Sequence, residues 1–132
     1  MIYLDSSAIV KLIRVEAESA ALATWINARP GPTVTSTLAE VEVPRALRRA
    51  EPARLAVVPA VMARINRVEM DASVRVTASA YTDVGLRSLD AIHLATAERL
   101  VATGRSITAF VTYDRRQFAA AATAGFAAQA PT

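Results

Sequence analysis

Short apolar runs alternate along this chain with stretches in which apolar residues recur every three or four positions. Ile2-Tyr3-Leu4 reads as a short opening strand. Ala8, Ile9, Leu12 and Ile13 then fall at helical spacing, with Ser6-Ser7 offering an N-cap. A second helical face runs through Ala20, Leu22, Trp25 and Ile26 until Pro30-Gly31-Pro32 breaks it. The β-branched run Thr33-Val34-Thr35-Ser36 predicts the second strand. Thr37-Leu38-Ala39-Glu40 has the form of a capping box, opening a helix through Val41, Val43, Ala46 and Leu47 with Pro44 inside it. Pro52 starts another helix carrying Leu55, Val58, Val61, Met62 and Ile65, with Pro59 as a kink.

Further on, residues 68–72 read as a short strand and 73–84 as a helix closed by Gly85. Ser88 caps a helix over 89–103 that Gly104 stops. Residues 106–113 form the expected central strand, 115–124 the last helix, and 126–128 an edge strand. Strands and helices in alternation, joined by short links, predict an α/β fold with a mainly parallel sheet flanked by helices. At 132 residues the chain suffices for one core, so a single domain over 1–132 is expected.

Composition narrows the chemistry. There is no cysteine, which removes disulfides and thiolate metal sites, and a single histidine excludes a His-rich zinc centre. No stretch reaches the roughly 18–20 strongly apolar residues of a membrane span, and no basic segment precedes the first apolar run. A soluble, cytoplasmic protein is expected. Fourteen arginines and one lysine, Lys11, face twelve acids, for a net charge of +3. Arginine forks suit phosphate, and a basic face attracts polyanions.

Four acids stand where a strand ends or a helix begins: Asp5, Glu42, Asp90 and Asp114. In an open parallel sheet those places share one edge, where ligands bind. Each acid has a plainer job open to it. Asp5 can serve as an N-cap, Asp90 as a first-turn acid favoured by the helix dipole, and Asp114 as the opening of a turn. Glu40 has its own role as the capping-box partner of Thr37, which favours Glu42 over Glu40 for a site. His93, three residues after Asp90, shares its helix face, either as a packed histidine or as a hydrogen-bond partner near the acids. Ser6 and Thr112 are expected donors to the acids.

Two carboxylates about 5 Å apart repel by roughly 3 kcal/mol at an effective dielectric near 20. Four together make six pairs, on the order of ten kcal/mol or more, so such a site takes up protons or a cation. Mg²⁺ and Mn²⁺ prefer all-oxygen donors and retain waters, which suits metal-assisted attack on phosphorus.

The opening Met1-Ile-Tyr-Leu-Asp5-Ser-Ser-Ala8 resembles that of PIN-domain nucleases, particularly VapC-like toxins of type II toxin–antitoxin modules. Ser36-Thr-Leu-Ala-Glu-Val-Glu42-Val-Pro-Arg-Ala-Leu47 resembles their second motif. Ser88-Leu-Asp90-Ala-Ile-His-Leu-Ala-Thr-Ala97 resembles the third, and Val111-Thr-Tyr-Asp114-Arg-Arg116 the fourth. The four strings cover nearly the whole chain in the family's order. The resemblance implies a three-layer α/β/α PIN fold and Mg²⁺- or Mn²⁺-dependent endoribonuclease activity, with Asp5, Glu42, Asp90 and Asp114 as the catalytic and metal-binding quartet. It also implies RNA as substrate, a homodimer, and a VapB-like antitoxin whose C-terminal segment occupies the groove near the acids.

For RNA, Arg14, Arg45, Arg48, Arg49, Arg115 and Arg116 are the arginines expected to track phosphates. The apolar surplus at Leu55, Val58, Val61, Met62 and Ile65 is either core or a partner surface. Other readings remain. A haloacid-dehalogenase-type phosphoryl-transfer enzyme wants a second aspartate where Ser7 stands, and both it and a receiver domain want a late lysine. A PIN nuclease outside any toxin–antitoxin system keeps the same chemistry.

Overall fold

Strand β1 (Ile2–Leu4) is buried at all three positions, which requires helices on both sides of it. The computed structural model describes residues 1–132 and supplies those layers. Strands β2 (Thr33–Ser36), β3 (Asn66–Val68), β4 (Ala109–Val111) and β5 (Ala128–Gln129) join β1 in one sheet of order β3-β2-β1-β4-β5. Every neighbouring pair is parallel. The helices are α1 (Ser6–Ile13), α2 (Ser19–Asn27), α3 (Ala39–Ala50), α4 (Val58–Met62), α5 (Ala72–Ala80), α6 (Ser88–Ala102) and α7 (Arg115–Thr123).

The period-two alternation of β1 divides the interior into two cores. Ile2 and Leu4 join Ile9, Ile13, Leu22, Val43 and Leu47 on the side of α1–α3. Tyr3 points the other way, to Val34, Leu94, Ala97, Phe110 and Ala121, beneath α6 and α7. The result is the three-layer α/β/α arrangement expected from the sequence.

Strand order positions the site. The chain steps from β1 to β2 and β3 on one side, then crosses back to β4 and β5 on the other, so the sheet reverses direction between β1 and β4. Leu4 lies opposite Val111 in register. Asp5 and Thr112 are therefore the next residues out, side by side at the carboxyl ends of the two strands, in the crevice that such a reversal opens.

Several local expectations change. Asp5, not Ser6 or Ser7, is the N-cap of α1, because its carboxylate accepts the Ala8 amide. The capping box does not form: Leu38 precedes α3 with no side-chain cap, and Thr37 Oγ1 turns to Glu69. Ser36 Oγ takes the Leu38 amide instead. Residues 52–62 do not make one kinked helix. A 3₁₀ helix over Pro52–Val57 gives way to α4, whose first turn tolerates Pro59 without losing a hydrogen bond.

The third strand starts two residues and ends four residues earlier than predicted, and α5 stops at Ala80, where Tyr81 turns extended and its hydroxyl reaches Glu98 at 2.5 Å. Strand β4 keeps only three of eight expected residues, with the Thr108 amide on Met1 O extending its pairing to the first strand. Strand β5 falls at 128–129 rather than 126–128. Met62 and Ile65 are core, and Leu55, Val58 and Val61 pack against the same core, so most of the apolar surplus is internal.

Candidate active site

Asp5 follows β1 directly and its amide donates to Val111 O at 3.1 Å, tying it to β4. Its Oδ1 accepts from Ser7 Oγ at 2.6 Å and from the Ala8 amide at 3.0 Å; Oδ2 accepts from Thr112 Oγ1 at 2.5 Å. The side chain is 3% exposed. Burial pushes its carboxyl above the usual range even though the His93 charge and these hydrogen bonds pull it down. Asp5 thus is the helix cap, with its carboxylate buried at the crevice.

Asp114 is anchored by the same residues. Thr112 Oγ1, while donating to Asp5, accepts the Asp114 amide at 3.1 Å. Asp114 caps α7 by accepting the Gln117 amide at 2.9 Å. Gln117 is fully buried and sends Nε2 to the carbonyl of Asp90 at 3.1 Å, so the start of α7 is tied to the start of α6. Its Oε1 has no protein partner.

Asp90 occupies the first turn of α6. Its carboxylate gains no hydrogen bond that would hold it ionised. Burial, then the charges of Asp114, Asp5 and Glu42, push it up to about 6, with His93 partly offsetting them. Asp90 feels these three charges because the fold places the other acids near it, at one edge of the sheet.

Glu42 lies on α3 and reaches across to α1 and α6. Its Oε1 accepts from Ser6 Oγ at 2.7 Å and faces His93 Nε2 at 2.7 Å. Burial alone would raise this carboxyl, but the His93 hydrogen bond and charge, together with Ser6, hold it below its ordinary value. Glu40 instead faces Arg67 at 3.4 Å on the exposed side of the helix. Of the two glutamates, Glu42 is the one that joins the acids.

The donor chemistry fits a hard cation. The four acids offer only carboxylate oxygens, and Asp90 is crowded by negative neighbours without a compensating donor. No three acidic or histidine side chains stand close enough together to hold an ion by themselves, so water would have to complete any coordination shell.

A groove of about 510 Å³ runs from Ser6 and Glu42 between α1 and α3, with Arg45 and Arg49 on one wall and Val10, Val41 and Leu89 as apolar surface. Arg45, Arg48, Arg49, Arg115 and Arg116 make no ion pair, whereas Arg14 is engaged by Glu16 and Glu51. Lys11 is also committed: Glu16 holds it at 2.5 Å and Glu18 at 2.9 Å, and it lies over the Tyr113 ring. No lysine is left free for phosphoryl-transfer or receiver chemistry.

Ser6 and Thr112 donate to the acids as the sequence suggests. Tyr3, Ser7 and Gln117 were not expected there. Asp114-Arg-Arg-Gln117 has the spacing of a helix cap with its third-position partner, a signal that would have marked Gln117. Nothing local marks Tyr3.

The PIN domain family model matches residues 2–123. The chain is 52% identical to Ribonuclease VapC35 of Mycobacterium tuberculosis over 132 residues, covering 99% of this chain and 97% of that protein. Among solved structures it resembles VapC20 of Mycobacterium tuberculosis, a sarcin–ricin loop cleaving toxin, with TM-score 0.73 and 19% identity over 96% of each chain. It also resembles VapBC2 from Rickettsia felis bound to a DNA fragment from their promoter, with TM-score 0.70 and 13% identity over the full length of both chains. At those identities the structures speak for the fold, while the relative at 52% and the family match speak for descent. The chain belongs to the PIN-domain family and stands within it beside the VapC ribonucleases.

Proposed function

We propose that this chain is a divalent-metal-dependent endoribonuclease, the toxin of a VapBC-type toxin–antitoxin module, acting as one domain over residues 1–132. The observation that carries the reading is Asp90, half-buried, lacking a protein donor and repelled by Asp114, Asp5 and Glu42. The identity to a named ribonuclease supports the substrate class.

Asp5, Asp90, Glu42 and Asp114 would hold Mg²⁺ or Mn²⁺, which when bound would supply positive charge for the phosphate and a more acidic water. The chain's own residues do the rest. Ser7, Thr112 and the Ala8 amide fix both oxygens of Asp5 before substrate arrives. Gln117 fixes the approach of α7 to α6, and with it the spacing of Asp114 and Asp90. Arg45 and Arg49, unpaired and beside Glu42, are placed to hold backbone phosphates of a single-stranded or looped RNA. The apolar wall of the same groove fits the C-terminal segment of a VapB-like antitoxin, which would block the arginines and the acids together. A homodimer is part of this proposal and is checked by light scattering.

Asp5→Asn and Asp90→Asn should each abolish RNA cleavage in Mg²⁺ or Mn²⁺ while retaining the wild-type circular dichroism spectrum. Undiminished cleavage by folded variants removes the mechanism. A PIN nuclease outside a toxin–antitoxin module would show the same cleavage but no inhibition by a product of an adjacent small reading frame.

A further inference from the structure

We propose that His93, braced by Tyr3, is a positioning residue: it clamps one oxygen of Glu42 and so presents the other to the cation and RNA. The inference rests on the nuclease reading and deepens it.

His93 lies in a run of α6 where Ala91, Leu94, Ala95, Thr96 and Ala97 are all buried, and it is itself 2% exposed. An imidazole in such surroundings is costly unless both nitrogens are satisfied. Both are. Nδ1 lies 2.9 Å from the Tyr3 hydroxyl and Nε2 lies 2.7 Å from Glu42 Oε1. An ionised carboxylate only accepts, so Nε2 carries the hydrogen and donates it to Glu42. When the ring is neutral Nδ1 accepts from Tyr3, and when it is charged Nδ1 donates to the Tyr3 hydroxyl; Nε2 donates to Glu42 in both forms.

The brace itself is rigid. The Tyr3 ring stacks on Phe110 with centroids 4.8 Å apart and 16° between planes, and meets the His93 ring edge-on at 5.9 Å and 77°. With its ring held in the core between β1 and α6, Tyr3 has little freedom to release the imidazole. Ser6 Oγ gives Oε1 its second hydrogen bond at 2.7 Å. One oxygen of Glu42 thus takes two donors from two elements, and Oε2 is the oxygen left for the site. Leucine at 93 would fill the core but leave the buried Tyr3 hydroxyl and Glu42 Oε1 each short of a partner, so the polar ring is explained by what it holds. The clamp is a matter of orientation and needs no change of protonation at His93.

His93 is the only histidine, so the ring nitrogens of the metal-free chain can be read directly by ¹⁵N NMR. The expected spectrum has a hydrogen-bonded, slowly exchanging Nε2–H, and Tyr3→Phe shifts the Nδ1 resonance. Calorimetry with Mn²⁺ alone then tests the consequence. His93→Leu should weaken Mn²⁺ binding roughly 10–100-fold. His93→Gln, whose amide can donate near the Nε2 position, should restore most of it. In a Glu42→Gln background His93→Leu should cost nothing further, since its effect passes through Glu42. Should His93→Leu fail to fold by circular dichroism, Tyr3→Phe takes its place in the same cycle. Wild-type affinity in the folded variant, or an equal loss in both backgrounds, overturns the clamp. A wild-type chain that binds no Mn²⁺ overturns the nuclease reading instead. The clamp is then judged by the imidazole alone, and an Nε2–H exchanging freely with water refutes it.

Discussion

Replacing Asp90 with asparagine should stabilise the metal-free protein while destroying its activity. The side chain keeps its size and loses the charge that Asp114, Asp5 and Glu42 oppose. Those charges and burial move the carboxyl from 3.8 to about 6. A rise of about two pH units corresponds to ~3 kcal/mol for a desolvated group. Asp90 is only half-buried, so solvent screening reduces this to ~1–2 kcal/mol. The sign follows from proton linkage: the folded state binds the proton more tightly than the unfolded state, so the penalty is absent below pH 4 and grows as pH rises through about 6. Urea denaturation in EDTA should therefore show Asp90→Asn more stable than wild type by ~1–2 kcal/mol at pH 7.5, with the advantage gone at pH 3.5. Saturating Mn²⁺ should reverse the order, because binding stabilises only a chain able to hold the ion. Equal or lower stability of the variant in EDTA at pH 7.5 would refute the crowding of carboxylates on which the metal site rests.

Thr112→Val keeps the branched shape but removes the hydroxyl between Asp5 Oδ2 and the Asp114 amide. It should cost ~2 kcal/mol in urea denaturation and lower cleavage with it. Gln117→Leu loses the Nε2 bond to Asp90 O but also removes the unpartnered Oε1, so stability should stay within ~1 kcal/mol. Its kcat on RNA should nevertheless fall by about tenfold or more, because the α6–α7 spacing is no longer fixed. Glu40→Ala, which loses only the exposed contact to Arg67, should cleave like wild type, whereas Glu42→Gln should be inactive in the same gel assay.

The acids at strand ends were legible because apolar runs as short as Ile2–Leu4 fix where a strand stops and a parallel sheet fixes which edge that is. Asp5 follows from that logic, Asp114 from the opening of the last helix, since β4 stops three residues before it, and Asp90 from the first turn of a long helix. Glu42 was harder. A local capping pattern suggested a role for Glu40, but Ser36 and the Thr37 backbone take over the helix start, and tertiary contacts to Ser6 and His93 select the glutamate. For a similar reason the sequence leaves His93 open between a packed histidine and a hydrogen-bond partner of the acids. Its spacing from Asp90 indicates a shared face, yet its partners stand 90 and 51 residues away in sequence. Arginine abundance was visible from composition alone. Only the fold separates Arg45 and Arg49 in the groove from Arg14, held by Glu16 and Glu51.

The central claim is that folding gathers these carboxylates so that a divalent ion enables RNA hydrolysis. Its most direct measurement is RNA cleavage by purified chain stripped with EDTA, then resupplied with Mn²⁺. No cleavage in the stripped protein and full recovery on adding the ion is the predicted result; cutting that proceeds equally well in EDTA contradicts it.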